Sequence, residues 1–136
     1  MTILRHFVPG AASPPQTARY AHAVEAVGLL HVTGQLPIDP DRPQASLPGT
    51  IDAQAELVFL NLRRILDATG YRLEDTVFAR IYLTHFARDY AGLNAVYHHY
   101  FNEDQHLPAR TTVGVAALGR DAPVEIDLVV AKHADG

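Results

Sequence analysis

Cysteine is absent from all 136 residues. That excludes a disulfide scaffold, a thiolate nucleophile and any cysteine-ligated zinc or iron–sulfur centre. No window approaches the roughly 18 consecutive apolar residues of a membrane-spanning helix, and the densest apolar stretch is interrupted by Asn61, Arg63 and Arg64. A cationic surplus is missing as well. Lys and Arg number 11 against 15 Asp and Glu, a net charge of −4, so the overall field repels phosphate backbones and disfavours a nucleic-acid module. Arg5, His6 and Pro9 deny the first ten residues the continuous apolar core of a signal peptide, and the cytoplasm is the expected location. There is no repeat, low-complexity tract, glycine-rich phosphate loop, Gly-x-Ser-x-Gly elbow or His-Glu-x-x-His spacing.

What is present is apolar content of 48% with 19% charged residues. A chain of this size and composition can bury a core, and at roughly 150 residues per domain residues 1–136 are expected to form one. The eight histidines do not make a metal site. His98 and His99 are adjacent and point about 100° apart on a helix; His22 and His31, on neighbouring predicted strands, could meet but lack a third ligand. No metal is expected from this pattern.

Local patterning predicts the elements. A short strand over Ile3–Phe7 precedes a loop from Pro9 to Gln16, rich in proline, glycine and serine. Tyr20–Val27 and Leu29–Thr33 suit strands hinged at Gly28. Pro37–Gly49 carries four prolines and reads as an exposed loop. Ile51, Ala55, Val58, Leu62 and Ile65 then step by 4, 3, 4 and 3, one face of a helix over Ile51–Thr69; Thr50 is its N-cap and Gly70 its left-handed stop. Thr76–Phe86 alternates as a strand, with Val77, Ala79, Ile81 and Leu83 on one face. Phe86, Tyr90, Leu93, Tyr97 and Tyr100 or Phe101 make a second helical stripe, expected to be core, which ends before Pro108. Strands over Thr111–Ala117 and Val124–Lys132 close the chain. The order βββαβαββ predicts an α+β two-layer domain, a mostly antiparallel sheet with two helices on one face. The other face, assigned Ala21, Ala23, Thr112, Gly114, Ala116, Val129 and Ala131, is too small and apolar to be wholly solvated, which suggests cover by a second copy of the chain.

Collinear short motifs run through this frame: Ala18-Arg19-Tyr20, Val32-Thr33-Gly34-Gln35-Leu36-Pro37, Asp39-Pro40, Gln54, Asn61-Leu62, Asn94-Ala95-Val96-Tyr97, Tyr100-Phe101, Pro108-Ala109-Arg110 and Val124-Glu125-Ile126. Together, from about Thr17 to Ala131, they resemble the RidA (YjgF) reactive-intermediate deaminase family. The resemblance implies a chorismate-mutase-like fold and a homotrimer with three sites in the clefts between subunits, and no metal or organic cofactor. It also implies hydrolysis of small enamines and imines, such as 2-aminoacrylate, to a keto acid and ammonia. Some positions depart from the family pattern. Ala18-Arg19 stands for the common Gly-Pro before the tyrosine, Ala21-His22 for Ser-Gln after it, Thr112 for a frequent cysteine, and Leu118-Gly119 for Leu-Pro, so the pocket wall is altered.

Arg110 follows Pro108-Ala109 at the mouth of a strand, where a guanidinium can grip a planar carboxylate with two parallel hydrogen bonds. Alone, such an arginine reads more readily as a salt bridge; the resemblance implies a carboxylate anchor. Glu125 alternates with core residues and, like Asp127, would by spacing be a solvent-facing strand residue. The resemblance implies for Glu125 a general base that holds the attacking water. Tyr20 can stack on or bond a substrate as well as pack. Thr33 and Gly34 end a strand where backbone can approach a small ligand, and Thr112 lies two residues past Arg110. Gln35 and Asn94 are secondary, structural candidates; a mid-helix Asn such as Asn94 is otherwise unfavourable. The expected chemistry is hydrolytic deamination of 2-imino or enamine acids with Arg110 and Glu125 catalytic. The alternatives are a non-enzymatic trimeric sensor of small carboxylates and a dedicated catabolic deaminase of a bulkier enamine. RNA cleavage, known for some relatives, fits poorly with the charge.

Overall fold

The computed structural model describes residues 2–13 and 18–134. Its strands are β1 (Leu4–His6), β2 (Ala23–Ala26), β3 (Leu29–Gln35), β4 (Thr76–Leu83), β5 (Ala109–Gly114) and β6 (Val124–Ala131); its helices are α1 (Ile51–Thr69) and α2 (Phe86–Tyr100). Short 3-10 turns occur at Leu73–Asp75, Asp104–His106 and Gly119–Asp121. The chain order is the expected βββαβαββ. One mixed sheet has the spatial order β1-β2-β3-β6-β4-β5. Every pairing is antiparallel except β4 with β5. No helix among the described residues is long and apolar enough to cross a membrane.

Local chemistry explains the best-marked elements. The Thr50 hydroxyl accepts from the Ala53 N–H at 3.3 Å, and Gly70 at φ 77° donates its N–H to the Leu66 carbonyl. Both ends of α1 are thus capped as its sequence predicts. The β2–β3 hairpin is tighter than expected. Ala26 pairs with Leu29, so the turn is Val27-Gly28 with φ of 53° and 74°. Two successive left-handed residues match the twist of the flanking strands, which is why Val27 leaves the strand despite its β-branched side chain.

The two helices cover one sheet face. Val58, Phe59, Leu62, Ile65 and Leu66 of α1 and Leu93 and Tyr97 of α2 join Leu30, Val32, Ala79, Ile81, Leu83, Ile126, Leu128 and Val130 in a single core. Each large apolar side chain so buried contributes about 1.5–3 kcal/mol.

Three expectations about faces are corrected. Val77 is 44% exposed while Thr76 is buried, because Thr76 and Phe78 oppose the adjacent Val130 and Val129 and leave Val77 as the extra residue of a bulge. Ala23 pairs with Val32 and is 1% exposed, so it belongs to the core. Thr112 and Gly114 register with Ile81 and Leu83, whose side chains lie under the helices, so they share the helix side instead of the open face. Alternation separates two faces, but only strand register says which is covered.

Helix α2 carries a further correction. Phe86 and Tyr90 are 38% and 40% exposed. The stripe meets the core only from Leu93 onward, because the first turn of α2 overhangs the edge strand β5.

Candidate functional site

Arg110 sits inside β5, an edge strand paired only with β4. The strand begins at Ala109, earlier than the expected Thr111. Register with Ala79 turns Arg110 toward α2. There Nε donates to the Thr112 hydroxyl at 2.7 Å and Nη2 donates to Asn94 Oδ1 at 2.7 Å. The guanidinium carbon lies 4.5 Å from the Tyr97 ring centroid and 5.7 Å from that of Tyr90. Among the described residues Arg110 has no carboxylate partner; its hydrogen bonds go to neutral oxygens. Burial pushes the Tyr97 phenol up, and the nearby Arg110 cation offsets part of that. Asn94 therefore does structural work of a specific kind, orienting the guanidinium from the middle of α2.

A second group gathers on the opposite sheet face. Glu125 registers with Tyr82 and faces away from the helices. At Gly34 an added Cβ would collide with Glu125 Oε2 and stand 2.9 Å from its carboxyl carbon. Only a hydrogen leaves room for the carboxylate. The approach arises from a bulge: Val32 pairs with Leu128 and Gln35 with Ile126, so Thr33 and Gly34 share the space of one residue. The Thr33 hydroxyl donates to the Ala21 carbonyl at 2.7 Å, pinning the bulge to the segment after Tyr20. Gln35 points into the protein, buried, its amide donating to the Thr33 carbonyl at 3.1 Å, in keeping with a structural role.

Burial, and then the charge of Asp127, raise the Glu125 carboxyl above its ordinary range. Tyr20 is 44% exposed; its phenol is raised by burial and then by the negative charge of Glu125. Asp127 is not the plain solvent-facing residue its spacing suggested. It accepts from Arg80 Nε at 2.8 Å and from the Tyr82 hydroxyl at 3.0 Å. Among the described residues no side chain hydrogen-bonds the Glu125 carboxylate, which leaves it free for a water or a ligand.

One chain thus holds two candidate half-sites. Arg110, Thr112 and Asn94 meet on the helix side, Tyr20, Thr33, Gly34 and Glu125 on the open side, and the sheet lies between them. Sequence reasoning misses Tyr90 and Tyr97 as neighbours of the Arg110 guanidinium. The signal is available: 90, 94 and 97 are spaced by 4 and 3 and lie on one stripe with Asn94, but an aromatic stripe reads first as core.

The histidines do not converge. Buried His22 accepts the Val8 N–H at 2.8 Å through Nδ1, and its Nε2 lies 2.9 Å from the Ala12 carbonyl, while His31 is exposed on the open face. Glu74, Asp75 and His133 bring ligand atoms within 4.8 Å of one another. These atoms are already engaged: His133 Nδ1 is 2.8 Å from Asp75 Oδ2, and Arg72 Nη1 is 3.0 Å from His133 Nε2 and 3.6 Å from Glu74.

A mixed sheet with both helices on one face, an uncompensated arginine at its edge and a half-buried glutamate on its far side define a small α+β protein with a chorismate-mutase-like fold and a candidate anion pocket. Comparisons place it. A family described as Endoribonuclease L-PSP matches residues 10–132. A RutC family protein of Pyrococcus horikoshii is 36% identical over 121 residues, covering 89% of this chain and 93% of that one. The crystal structure of a conserved Rid-family protein from Yersinia pestis superposes with a TM-score of 0.87 at 28% identity, covering 96% and 99%. That of Escherichia coli TdcF with bound serine gives 0.84 at 27% identity, covering 96% and 100%. The chain belongs to the YjgF/RidA family.

Proposed function

We propose that the protein is a homotrimeric hydrolase that converts small 2-imino and enamine acids, of the 2-aminoacrylate type, to 2-keto acids and ammonia. The observation that carries this reading is Arg110: a guanidinium held by Asn94 and Thr112, with no carboxylate to neutralise it among the described residues. That is a site for a planar carboxylate. The serine bound to Escherichia coli TdcF is likewise a small molecule with a carboxylate.

The reaction needs little machinery. An enamine first takes a proton at C3 to become the imine. With its carboxylate on Arg110, the C=N carbon is held near a water positioned by Glu125. The water oxygen adds to that carbon as the carboxylate accepts a proton, giving a carbinolamine. Glu125 delivers that proton to nitrogen to complete the carbinolamine. The carboxylate then takes the hydroxyl proton and passes it to the same nitrogen as the C–N bond breaks, so ammonia leaves and the hydroxyl oxygen becomes the keto group. A carboxyl raised by burial is a stronger base than an ordinary glutamate, and holding the reactants in place supplies much of the remainder.

The two half-sites lie on opposite faces, so a complete site needs a second chain. Docking the Arg110 half of one subunit against the Glu125 half of the next is a heterologous contact, which forms a ring when the rotation between subunits closes. A ring of three uses each half once and makes three sites.

The nuclease name of the family supports a second reading poorly. At net charge −4, Arg42, Arg64, Arg72, Arg80 and Arg88 are each within ion-pair distance of an acidic side chain, which leaves no basic track for a phosphate backbone among the described residues.

The test is ammonia release from a 2-imino acid generated in place by an amino-acid oxidase. Wild type should exceed the spontaneous rate and Arg110→Ala should not. Binding of a small carboxylate without acceleration would identify a sensor and end the hydrolase reading.

A further inference from the structure

The first turn of α2 presents two aromatic rings four residues apart, Phe86 and Tyr90. They stack in parallel, centroids 4.8 Å apart and planes 16° apart. Both stand largely outside the core, at 38% and 40% exposure, whereas Tyr97 and Phe101 further along the helix are buried at 5% and 4%. Two large rings held face to face in water are an apolar surface without cover.

Their position gives the surface a direction. Tyr90 is the ring 5.7 Å from the Arg110 guanidinium carbon, and Phe86 lies one ring beyond it. On the facing strand Arg110, Thr112 and Gly114 share the helix side. Thr112 is tied to Arg110, and Gly114 offers bare backbone opposite Phe86, where a Cβ would stand 3.5 Å from the Phe86 Cβ and 3.9 Å from its ring. The surface running from Arg110 is therefore charged at Arg110, aromatic at Tyr90 and Phe86, and bare of side chain at Gly114.

We infer that Phe86, stacked on Tyr90 and facing Gly114, is a specificity residue that selects 2-imino acids bearing a planar aromatic side chain. The inference rests on imine hydrolysis anchored at Arg110. A substrate whose carboxylate lies on Arg110 can extend its C3 substituent toward the neighbouring rings. An aryl group there adds a third ring to the stack, in the offset or edge-on geometry aromatic rings prefer. A methyl group has no ring face to stack. Asn94 and Thr112 hold the guanidinium that grips the carboxylate common to all such substrates, so on this half of the site the stacked rings are the groups left to meet the C3 substituent.

The experiment compares 2-imino-3-phenylpropanoate with 2-iminopropanoate, each generated from its amino acid by an oxidase, and reads the ratio of their kcat/KM values. Wild type should favour the phenyl substrate by about tenfold or more, the scale of discrimination an apolar pocket reaches. Phe86→Leu, which keeps apolar bulk for subunit packing but removes the ring face, should bring the ratio close to one. Phe86→Tyr, which keeps the ring, should preserve it. Light scattering on both variants separates loss of assembly from loss of stacking, and Tyr90→Leu repeats the test should Phe86→Leu dissociate. A wild-type ratio near one, or a ratio unchanged in Phe86→Leu, overturns the inference and leaves imine hydrolysis standing. Failure of wild type to accelerate either imine overturns both.

Discussion

Gly34 and Glu125 are packed so closely that a single carbon added to the glycine would overlap the glutamate carboxylate. The contact joins β3 to β6 across a bulge and fixes where the carboxylate stands. Gly34 has no left-handed φ, so alanine there strains no backbone. What must move is the flexible end of Glu125. Gly34→Ala should fold with a melting temperature close to wild type and lose about a hundredfold in kcat, the scale of a misplaced reacting group. Thermal melting and ammonia release on one sample check this; full activity would remove the contact from the mechanism.

Arg110→Lys keeps the charge but has no fork to span Asn94, Thr112 and a carboxylate together. It should fold normally and lose about a hundredfold in kcat/KM on 2-imino acids. Asn94→Ala should lose less, mainly through KM, because it frees the guanidinium without removing it. Activity of Arg110→Lys within a few-fold of wild type would take the anchor role away from Arg110.

Glu125→Gln tests the base. Its turnover should fall by about a hundredfold or more, with a smaller change in the affinity of an unreactive carboxylate ligand. Stability should move the other way. Burial and Asp127 raise the folded-state carboxyl above its ordinary 4.5, so the ionised form is the one the fold disfavours. Its favourable contribution is complete below the unfolded value and lost as pH rises through the folded one. At neutral pH Glu125→Gln should therefore melt at or above the wild-type temperature, and wild type should gain on it as the pH falls back through that window. An acid limb of kcat/KM at the pH of an unperturbed glutamate would contradict the raised carboxyl.

Assembly and activity should be one property. A large polar residue at Ala116, exposed just past the open edge of β5, should dissociate the protein and abolish hydrolysis together. Light scattering and activity across a dilution series should fall in parallel from a species of three chain masses. A folded monomer with full activity would show that one chain completes a site, against the placement of Arg110 and Glu125 on opposite faces.

Much of this architecture is legible in the sequence because it is local. The faces of α1, its caps at Thr50 and Gly70, the order βββαβαββ and the alternation of β6 all follow from residue period and turn chemistry within a few positions. Arg110 and Glu125 also stand out, as polar residues in apolar strands within matching motifs. What the tertiary structure decided is non-local. Register placed Thr112 and Gly114 on the helix side, and bulges expelled Val77 and brought Gly34 onto Glu125. The position of α2 over the sheet edge gave Arg110 its partner Asn94 and left Phe86 and Tyr90 outside the core. Above all, the sheet separates Arg110 from Glu125. Which face of a strand is covered depends on pairing with strands distant in sequence, and no periodicity within one strand carries that information.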